Sequence, residues 1–195
     1  NPVTPEPEKD YYGPWDGTCA SAFAGGNGTK DDPYRISTPE QLALLVDQTL
    51  KSYWKNYSTF DKYYILTNDI VINDTTKADW KEHAREWITA SVNPDGSDCH
   101  SKAFAGVLDG NGHVIKGLYT NKDETDTGAG LFVSITQNAV IKNIGIEDSY
   151  LKANLVGAFA MRDNNIETAN TSFIACYVDE SVEIAENGLV TLPDE

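Results

Sequence analysis

The sequence lacks an apolar run long enough to cross a membrane, and it lacks a surplus of positive charge. A membrane-spanning helix needs roughly 18 or more consecutive apolar residues, and the 195 residues contain no such run. Lys and Arg number 15 against 30 Asp and Glu, which gives a net charge of −15. Most of the surface therefore repels phosphate backbones and anionic lipids. This balance argues against nucleic acid and membrane insertion and leaves a neutral polysaccharide or a protein as the expected partner.

Cysteine and histidine are also scarce, with three of each. Neither the cysteines nor the histidines show metal-ligand spacing. Outside the cell Cys19 and Cys99 are a candidate disulfide, and three unlinked thiols are the alternative. Cys176 has no nearby His or Asp to activate it, so we expect a small core residue there. His83, His100 and His113 share no metal spacing, and we expect His113, directly after a glycine turn, to pack or hydrogen-bond at a strand start, with catalysis as the alternative.

Arginine occurs at only three positions, Arg35, Arg85 and Arg162. Proton abstraction by an Arg or Lys would need that residue beside a cluster of carboxylates. Arg162, next to Asp163, is the best placed of the three, but a surface charge is the simpler interpretation because fold does not confer chemistry. No catalytic constellation stands out, and we expect the chain to have no catalysis of its own.

Composition divides the chain into four regions. Residues 1–12 begin NPVTPEPEKD, which is too polar and proline-rich to order itself, and form a flexible linker or tail. Residues 13–74 form an N-terminal cap with an aromatic, Gly-rich loop, a helix and the first strands. Residues 75–102 are a polar insertion loop, and residues 103–195 are repeated coils. Because residue 1 is Asn, we expect a chain processed from a secreted protein.

The clearest helix signal lies at Ser37-Thr38-Pro39-Glu40-Gln41. Thr38 is the predicted N-cap, Pro39 suits the first helical position, and Gln41 completes a capping box. Downstream apolar residues recur at spacings of three and four, which predicts one amphipathic helix over 39–57 that packs on the body of the protein. Its apolar face comprises Leu42, Leu45, Val46, Leu50, Tyr53, Trp54 and Tyr57.

The stretch FAGVLDGNGHVIKGLY, residues 104–119, places a glycine turn between two runs of β-forming residues. Parts of the chain downstream repeat: Gly130-Leu-Phe recurs at Gly157 and Gly188, and Ile115-Lys-Gly-Leu recurs at Ile141 and Phe173. Short apolar strands with such a period predict a parallel β-solenoid whose coils stack on one another. We expect equivalent inward positions at Leu118, Ile144 and Cys176.

Several motifs in order resemble a known family. WDGT (15–18), FAGGNGTKDDPYRISTPEQLALL (23–45), YYILTNDIVIND (63–74), the 104–119 stretch and GLF…IKNIGI (130–146) are similar to the N-terminal cap and first coils of secreted bacterial β-helix proteins with GLUG-type repeats, of the pectin-lyase-like kind. The resemblance implies a mainly β fold, a right-handed parallel β-helix of about three coils whose N-terminal cap contains one amphipathic α-helix. It also implies an extracellular or cell-surface location. The later GLUG-like repeats, at Leu155–Ala160 and Gly188–Val190, are degenerate.

Two acidic clusters are candidate Ca²⁺ sites, because Ca²⁺ takes oxygen ligands from flexible loops. One is Asp31 with Asp32, and the other is Asp123, Glu124 and Asp126. Neither matches the spaced EF-hand pattern, so solvated acidic loops are the alternative. No other cofactor is expected.

Aromatic rings outside the helix are the candidate ligand-binding residues, because the C–H faces of sugars stack on exposed rings. The insertion departs from the coil period and is the region most free to carry function. Packing of these rings over the end of the solenoid is the alternative. The candidates are Trp80, Trp87, Tyr119 and Tyr150.

Together these features predict a non-catalytic, extracellular module for adhesion or for binding carbohydrate such as cell-wall polysaccharide, within a larger secreted or surface protein. The first alternative is a fragment of a Ca²⁺-dependent polysaccharide lyase or glycoside hydrolase. The second is a structural stalk or spacer.

Overall fold

The computed structural model describes residues 10–55, 62–88, 103–122, 128–135, 139–153, 155–163, 172–185 and 189–190. Within these ranges short strands and one α-helix form a parallel β-solenoid of about three turns. The predicted fold class, mainly β with stacked parallel coils, is therefore confirmed.

Each coil contributes up to five strands. The cap holds β1 (Tyr34–Ile36), β2 (Tyr63–Leu66), β3 (Ile70–Val71) and β4 (Ala103–Phe104). The first coil holds β5 (Val107–Asp109), β6 (Val114–Lys116), β7 (Tyr119–Asn121), β8 (Gly128–Ala129) and β9 (Phe132–Ile135). The second holds β10 (Val140–Lys142), β11 (Gly145–Glu147), β12 (Tyr150–Lys152), β13 (Leu155–Val156) and β14 (Ala160–Asp163). The third holds β15 (Ser172–Ile174), β16 (Tyr177–Val178), β17 (Glu183–Ile184) and β18 (Leu189–Val190).

Equivalent strands of successive coils pair in parallel, which builds five sheets along the solenoid. Their orders are β1-β2-β5-β10-β15, β3-β6-β11-β16, β7-β12-β17, β8-β13-β18 and β4-β9-β14. The cap turn has described strands in the first, second and last of these sheets, and the chain between β3 and β4 contains the polar insertion. The described part of the insertion, residues 75–88, lies beside β7, where the Trp87 backbone N–H donates to the Tyr119 carbonyl.

Inward ladders of apolar side chains fill the interior. One ladder runs through Tyr64, Leu108, Ile141 and Phe173, and another through Ile70, Ile115, Ile146 and Val178. All of these residues except Phe173 and Val178, in the third coil, are fully buried. Each buried aliphatic side chain contributes about 1.5–3 kcal/mol, and a one-residue slip would turn the ladder outward. The interior therefore fixes the register of the coils.

The sequence repeat at Ile115 and Ile141 does not mark equivalent positions in the structure, so the predicted equivalence is wrong. The triplets Val114-Ile115-Lys116 and Val140-Ile141-Lys142 are identical, yet β6 pairs with β11 and β10 pairs with β5. Ile141 is therefore equivalent to Leu108. The outward charges agree with this pairing, since Lys142 lies 2.9 Å from Asp109 and Lys116 lies 2.7 Å from Glu147.

Two further expected equivalences are also wrong. Tyr119 pairs with Tyr150, so Leu118 lies opposite Ser149 and not opposite Ile144. Leu189 pairs with Leu155, so the third Gly-Leu-Val copy is shifted from its expected alignment with Gly157. The positions of Ile144 and Cys176 are equivalent, because Gly145 pairs with Tyr177.

The helix α1 (Pro39–Lys55) begins where the capping signals predict, and residues 56–57 of the expected span lie outside the described residues. The Gln41 backbone N–H donates to Thr38 Oγ1 at 3.4 Å. The Gln41 side chain accepts the Ser37 N–H at 2.8 Å, one residue earlier than in the predicted capping box. The buried face of α1 joins the solenoid core through Leu42, Leu45 and Val46.

Candidate functional site

The described part of the insertion, residues 75–88, lies against the outer side of the coils. Its 3₁₀ turn, Trp80–Glu82, places Lys81 Nζ 2.5 Å from Glu183 Oε2 in the third coil. Farther along, Glu86 Oε2 lies 2.6 Å from Lys122 Nζ, just after β7. The Trp87 N–H donates to the Tyr119 carbonyl at 2.8 Å, as a paired strand would. The described part of the insertion, predicted as a polar loop, is therefore packed against the β7-β12-β17 sheet.

Three of the four predicted ligand-binding rings lie together on this sheet. The Trp80 and Tyr119 centroids are 5.8 Å apart, edge to face, and Tyr119 stacks on Tyr150 at 5.6 Å. Lys81 Nζ lies 4.6 Å from the centre of the Tyr150 ring. Because Tyr119 and Tyr150 stack face to face and Tyr119 is only 9% exposed, this row offers little ring face to a sugar. The alternative role, packing, describes what these rings do in the structure.

Trp87 lies in the core and not on the surface. Its side chain is 2% exposed, its Nε1–H donates to the Leu131 carbonyl at 3.2 Å, and its ring lies 5.0 Å from that of Trp15. The helical spacing of Trp80 and Trp87 does not indicate that Trp87 enters the core while Trp80 packs on Tyr119. As folded, Trp87 has no free face for a ligand.

A pocket of about 570 Å³ opens beside this row. Three distant parts of the chain build it: the segment after the N-terminal tail, the end of the insertion, and β7. Its lining residues are Tyr11, Trp15, Gly17, Ala84, Arg85, Glu86, Ile88, Tyr119 and Asn121. The size lies in the usual range of small-molecule sites, roughly 300–1,000 Å³, and the lining combines aromatic rings with a few polar groups.

Arg85 is the distinctive polar residue of the pocket. Its guanidinium carbon lies 3.8 Å from the centre of the Tyr11 ring. Its Nε is buried and has no hydrogen-bond partner in the described part of the chain. A buried donor without an acceptor costs about 1–3 kcal/mol.

Other polar groups of the pocket are already partnered. Besides contacting Lys122, the Glu86 carboxylate accepts the Asn121 N–H at 3.3 Å. Asp16, next to the pocket residue Gly17, accepts the Thr18 hydroxyl at 2.6 Å. The hydrogen bonds from Thr18, with a weaker contribution from the charge of Arg85, hold the pKa of Asp16 below its usual value.

Sequence reasoning identified Tyr119 but missed most of the pocket. Tyr11 and Trp15 belong to an aromatic cluster near the N-terminus, but nothing in their spacing brings them to residues 84–88. Arg85 was considered only as one of three arginines. The available signal was a cation in a strongly acidic chain, between two tryptophans, at Trp80 and Trp87.

The predicted Ca²⁺ ligands are placed only in part. Asp32 Oδ1 pairs with Arg35 at 2.8 Å, and its Oδ2 accepts the Asn27 amide at 2.8 Å, while Asp31 is exposed. Asp123, Glu124 and Asp126 lie outside the described residues. Across the described ranges, no group of three or more His, Cys, Asp or Glu is arranged to hold a metal ion. The protein itself thus provides partners for both Asp32 oxygens.

The candidate disulfide involves Cys99, which lies outside the described residues, so the bridge to Cys19 stays a prediction. Cys176 is half-buried against the core, and its thiol donates to the Ile141 carbonyl at 3.2 Å. Burial raises the pKa of the Cys176 thiol, which disfavours a reactive thiolate.

Of the residues considered for catalysis, Arg85 lines the pocket, and His83 and His113 do not. Arg162 is in β14, and its side chain is outside the described set. His113 Nδ1 lies 3.0 Å from Asp69 Oδ1 at the start of β6. His83 stacks on Tyr12 with centroids 4.2 Å apart. Both described histidines are therefore engaged in local packing and hydrogen bonds.

Comparison with known proteins finds two long relatives. The chain is 30% identical over 161 residues to halomucin of Haloquadratum walsbyi, and the matched region is 80% of this chain and 2% of halomucin. It is 28% identical over 148 residues to a protein of Evansella cellulosilytica whose name describes it as a Gly-rich membrane protein. The matched region is 71% of this chain and 14% of that protein. No protein-family model and no solved structure matches the chain. The chain thus spans a small fraction of both relatives.

Among the described residues, no helix has the length and apolar character that a membrane crossing requires.

Proposed function

We propose that this chain is a non-catalytic module of an extracellular or cell-surface protein and that it binds carbohydrate in the pocket beside β7, in the service of adhesion. The similarity to halomucin and to a protein named for a membrane supports the surface location. In both relatives the matched region is a small part of a long chain, which is the usual context of a binding module.

The pocket carries the proposal. It has one substantially exposed aromatic ring at its rim, Tyr11, which is 38% exposed, while Tyr119 is packed into its wall. Rings of this kind contact the C–H face of a pyranose, while a few polar groups fix the orientation of its hydroxyls. Arg85, Glu86 and Asn121 supply polar groups among the residues that line the pocket.

Overall charge sets the ligand class. With a net charge of −15 the chain repels a polyanion over most of its surface. A largely neutral polysaccharide carries no such penalty. The dispersion and hydrogen-bond contacts of the pocket then determine affinity.

The test is binding of the folded chain to a glycan array and to insoluble polysaccharides. We expect retention by a neutral glycan and a loss of affinity of about tenfold or more in Tyr11→Ala, since removing a stacking ring costs roughly 1–3 kcal/mol. Tyr177→Ala is the matched control, because Tyr177 is 46% exposed in the third coil and does not line the pocket.

Two outcomes would contradict the proposal. If the wild-type chain binds no glycan, the module is a spacer or binds protein. If Tyr11→Ala and Tyr177→Ala lose equal affinity, the binding site is elsewhere. Trp87→Ala does not test binding, because the buried ring supports the core and its loss costs about 3–5 kcal/mol of stability.

A further inference from the structure

We infer that the glycan bound in this pocket ends in a sugar that carries a single acidic group, a carboxylate or a sulfate, and that Arg85 is the residue that selects it. This inference rests on the proposed function, because it names the chemistry of the sugar residue that enters the pocket. It goes beyond that function because a neutral ligand would satisfy the pocket without any acidic group.

The first observation is that Arg85 stands apart from other cations of the protein. Most cations with described contacts have a carboxylate partner: Arg35 with Asp32, Lys81 with Glu183, Lys116 with Glu147, Lys122 with Glu86 and Lys142 with Asp109. Arg85 has no ion pair among the described residues, although acids outnumber bases two to one in the sequence. A guanidinium in a partly buried site without a counterion is costly unless a ligand supplies one.

The second observation is the buried Nε. Guanidinium groups bind carboxylates and sulfates through two parallel N–H donors, one of which is commonly Nε. In Arg85 the Nε donor is withdrawn from solvent and has no acceptor in the described part of the chain. Hydrogen bonds to a charged acceptor are roughly twice as strong as those between neutral groups. An acidic group at the Arg85 guanidinium, which lines the pocket, therefore gains more than a hydroxyl does.

The third observation is that Arg85 is held in place on several sides. Its guanidinium lies over the Tyr11 ring, and both of its backbone polar groups are bound by the Asn73 side chain. A side-chain carbon at Gly17 would lie 3.1 Å from Nη1, so the glycine keeps that side open. An ordered arginine loses less entropy when it binds, which favours recognition by this residue.

The surroundings limit the ligand to one acidic group. Glu86 is neutralised by Lys122, but Asp16 and the net charge of −15 act against further negative charge. A polyanion would gain one contact at Arg85 and be repelled along the rest of its length. A neutral chain with one acidic terminal sugar gains the contact without that repulsion.

The experiment compares three oligosaccharides that differ only in the terminal sugar: neutral, carboxylated and sulfated. Affinities for the folded chain are measured by calorimetry at low and high salt. We expect one of the acidic ligands to bind about tenfold or more tightly than the neutral one, with a preference that shrinks as salt rises. The carboxylated and sulfated arms identify which acidic group fits.

Arg85→Gln and Arg85→Lys are compared with Arg35→Gln, the control that removes an exposed arginine outside the pocket. The ratio of acidic to neutral affinity should fall to about one in Arg85→Gln, should be intermediate in Arg85→Lys, and should be unchanged in Arg35→Gln. Equal wild-type affinities for all three ligands would overturn this inference and leave carbohydrate binding intact. A preference that persists in folded Arg85→Gln would also overturn it, and binding of none of the ligands would overturn both proposals.

Discussion

The Asn73 side chain binds both backbone polar groups of Arg85. Asn73 Oδ1 accepts the Arg85 N–H at 2.8 Å, and Asn73 Nδ2 donates to the Arg85 carbonyl at 3.0 Å and to the Gly117 carbonyl at 2.7 Å. Asn73 is 1% exposed, so these bonds form away from water. One buried amide therefore joins the cap, the insertion and the first coil, and it positions the pocket arginine.

Asn73→Asp should destabilise the protein strongly. The substitution replaces a donor with a carboxylate oxygen that faces two carbonyl groups in a buried site, so we expect a loss of about 3 kcal/mol in the free energy of unfolding. Urea denaturation measures this loss. Asn68→Asp is the control, because the Asn68 amide donates to the Ser37 carbonyl at an exposed position. Equal losses in the two variants would show that Asn73 does not have the role described.

Two glycines with left-handed backbone allow the cost of backbone strain to be distinguished from the cost of a steric clash. Gly117 has φ of +73°, and a side-chain carbon there would lie 2.5 Å from the Asn73 carbonyl oxygen. Gly112 has φ of +82°, with nothing within 4 Å of that position. Gly112→Ala should cost about 1–2 kcal/mol from backbone strain alone. Gly117→Ala should cost clearly more, because the clash involves backbone, and thermal or urea unfolding of both variants would reveal any failure of this order.

Ala175 is a residue that the fold does not favour. It has φ of +52° in the turn after β15, where the equivalent residue of the second coil, Asn143, has φ of +53°. Asparagine tolerates this conformation better than alanine. Ala175→Asn should therefore raise the free energy of unfolding by about 0.5–1 kcal/mol.

The reverse exchange is the matched experiment. Asn143→Ala should lower the free energy of unfolding, because it adds strain and removes the hydrogen bond from Asn143 Nδ2 to Asp109 Oδ1 at 3.0 Å. A decrease in stability in Ala175→Asn would refute the proposed equivalence of the two turns.

Tyr177 should titrate at unusually high pH. Its hydroxyl donates to Glu147 Oε1 at 2.5 Å, and this bond, with a smaller effect of burial, raises the pKa of Tyr177 to about 12. Because the pKa is higher in the folded state than the ordinary value of about 10, this contribution to stability is complete below pH 10 and is lost as pH rises from 10 to 12.

The measurement is the phenolate absorbance of the wild-type chain minus that of Tyr177→Phe. Glu147→Gln removes the charge that holds the phenol protonated, so the midpoint should move down towards 10. An unchanged midpoint in Glu147→Gln would mean that the hydrogen bond does not set the pKa.

The sequence predicts the features of this fold that depend on neighbouring residues. Thr38 and Pro39 predict the helix start, and Asp109-Gly110-Asn111-Gly112 predicts a turn. In the structure Asn111 and Gly112 of this turn have positive φ. Short apolar strands at a long period predict stacked coils. The helix start and the turn are signalled within a few residues, where sterics and hydrogen bonding act directly, whereas the stacked coils are signalled by repetition along the chain.

Features that depend on distant residues were not predictable in this way. The pocket joins Tyr11, Arg85 and Asn121, which no local pattern connects. Trp80 and Trp87 share a helical spacing, but Trp80 packs on the outer face of a sheet while Trp87 enters the core. Both outcomes bury aromatic surface, so hydrophobicity alone does not distinguish them.

The outward charges of the first two coils bear on how the chain avoids folding errors. The identical triplets at Val114 and Val140 offer the growing solenoid an apolar match that is as good as the native one. A coil displaced by one strand, so that β10 paired with β6, would set Lys116 beside Lys142 and would move Asp109 and Glu147 away from these lysines, which exchanges two attractions for one repulsion. In water each such exchange is small, but the apolar faces cannot discriminate between the two arrangements. These four partly exposed side chains thus favour the native pairing of the coils over the displaced pairing, which the hydrophobic repeats alone would not do.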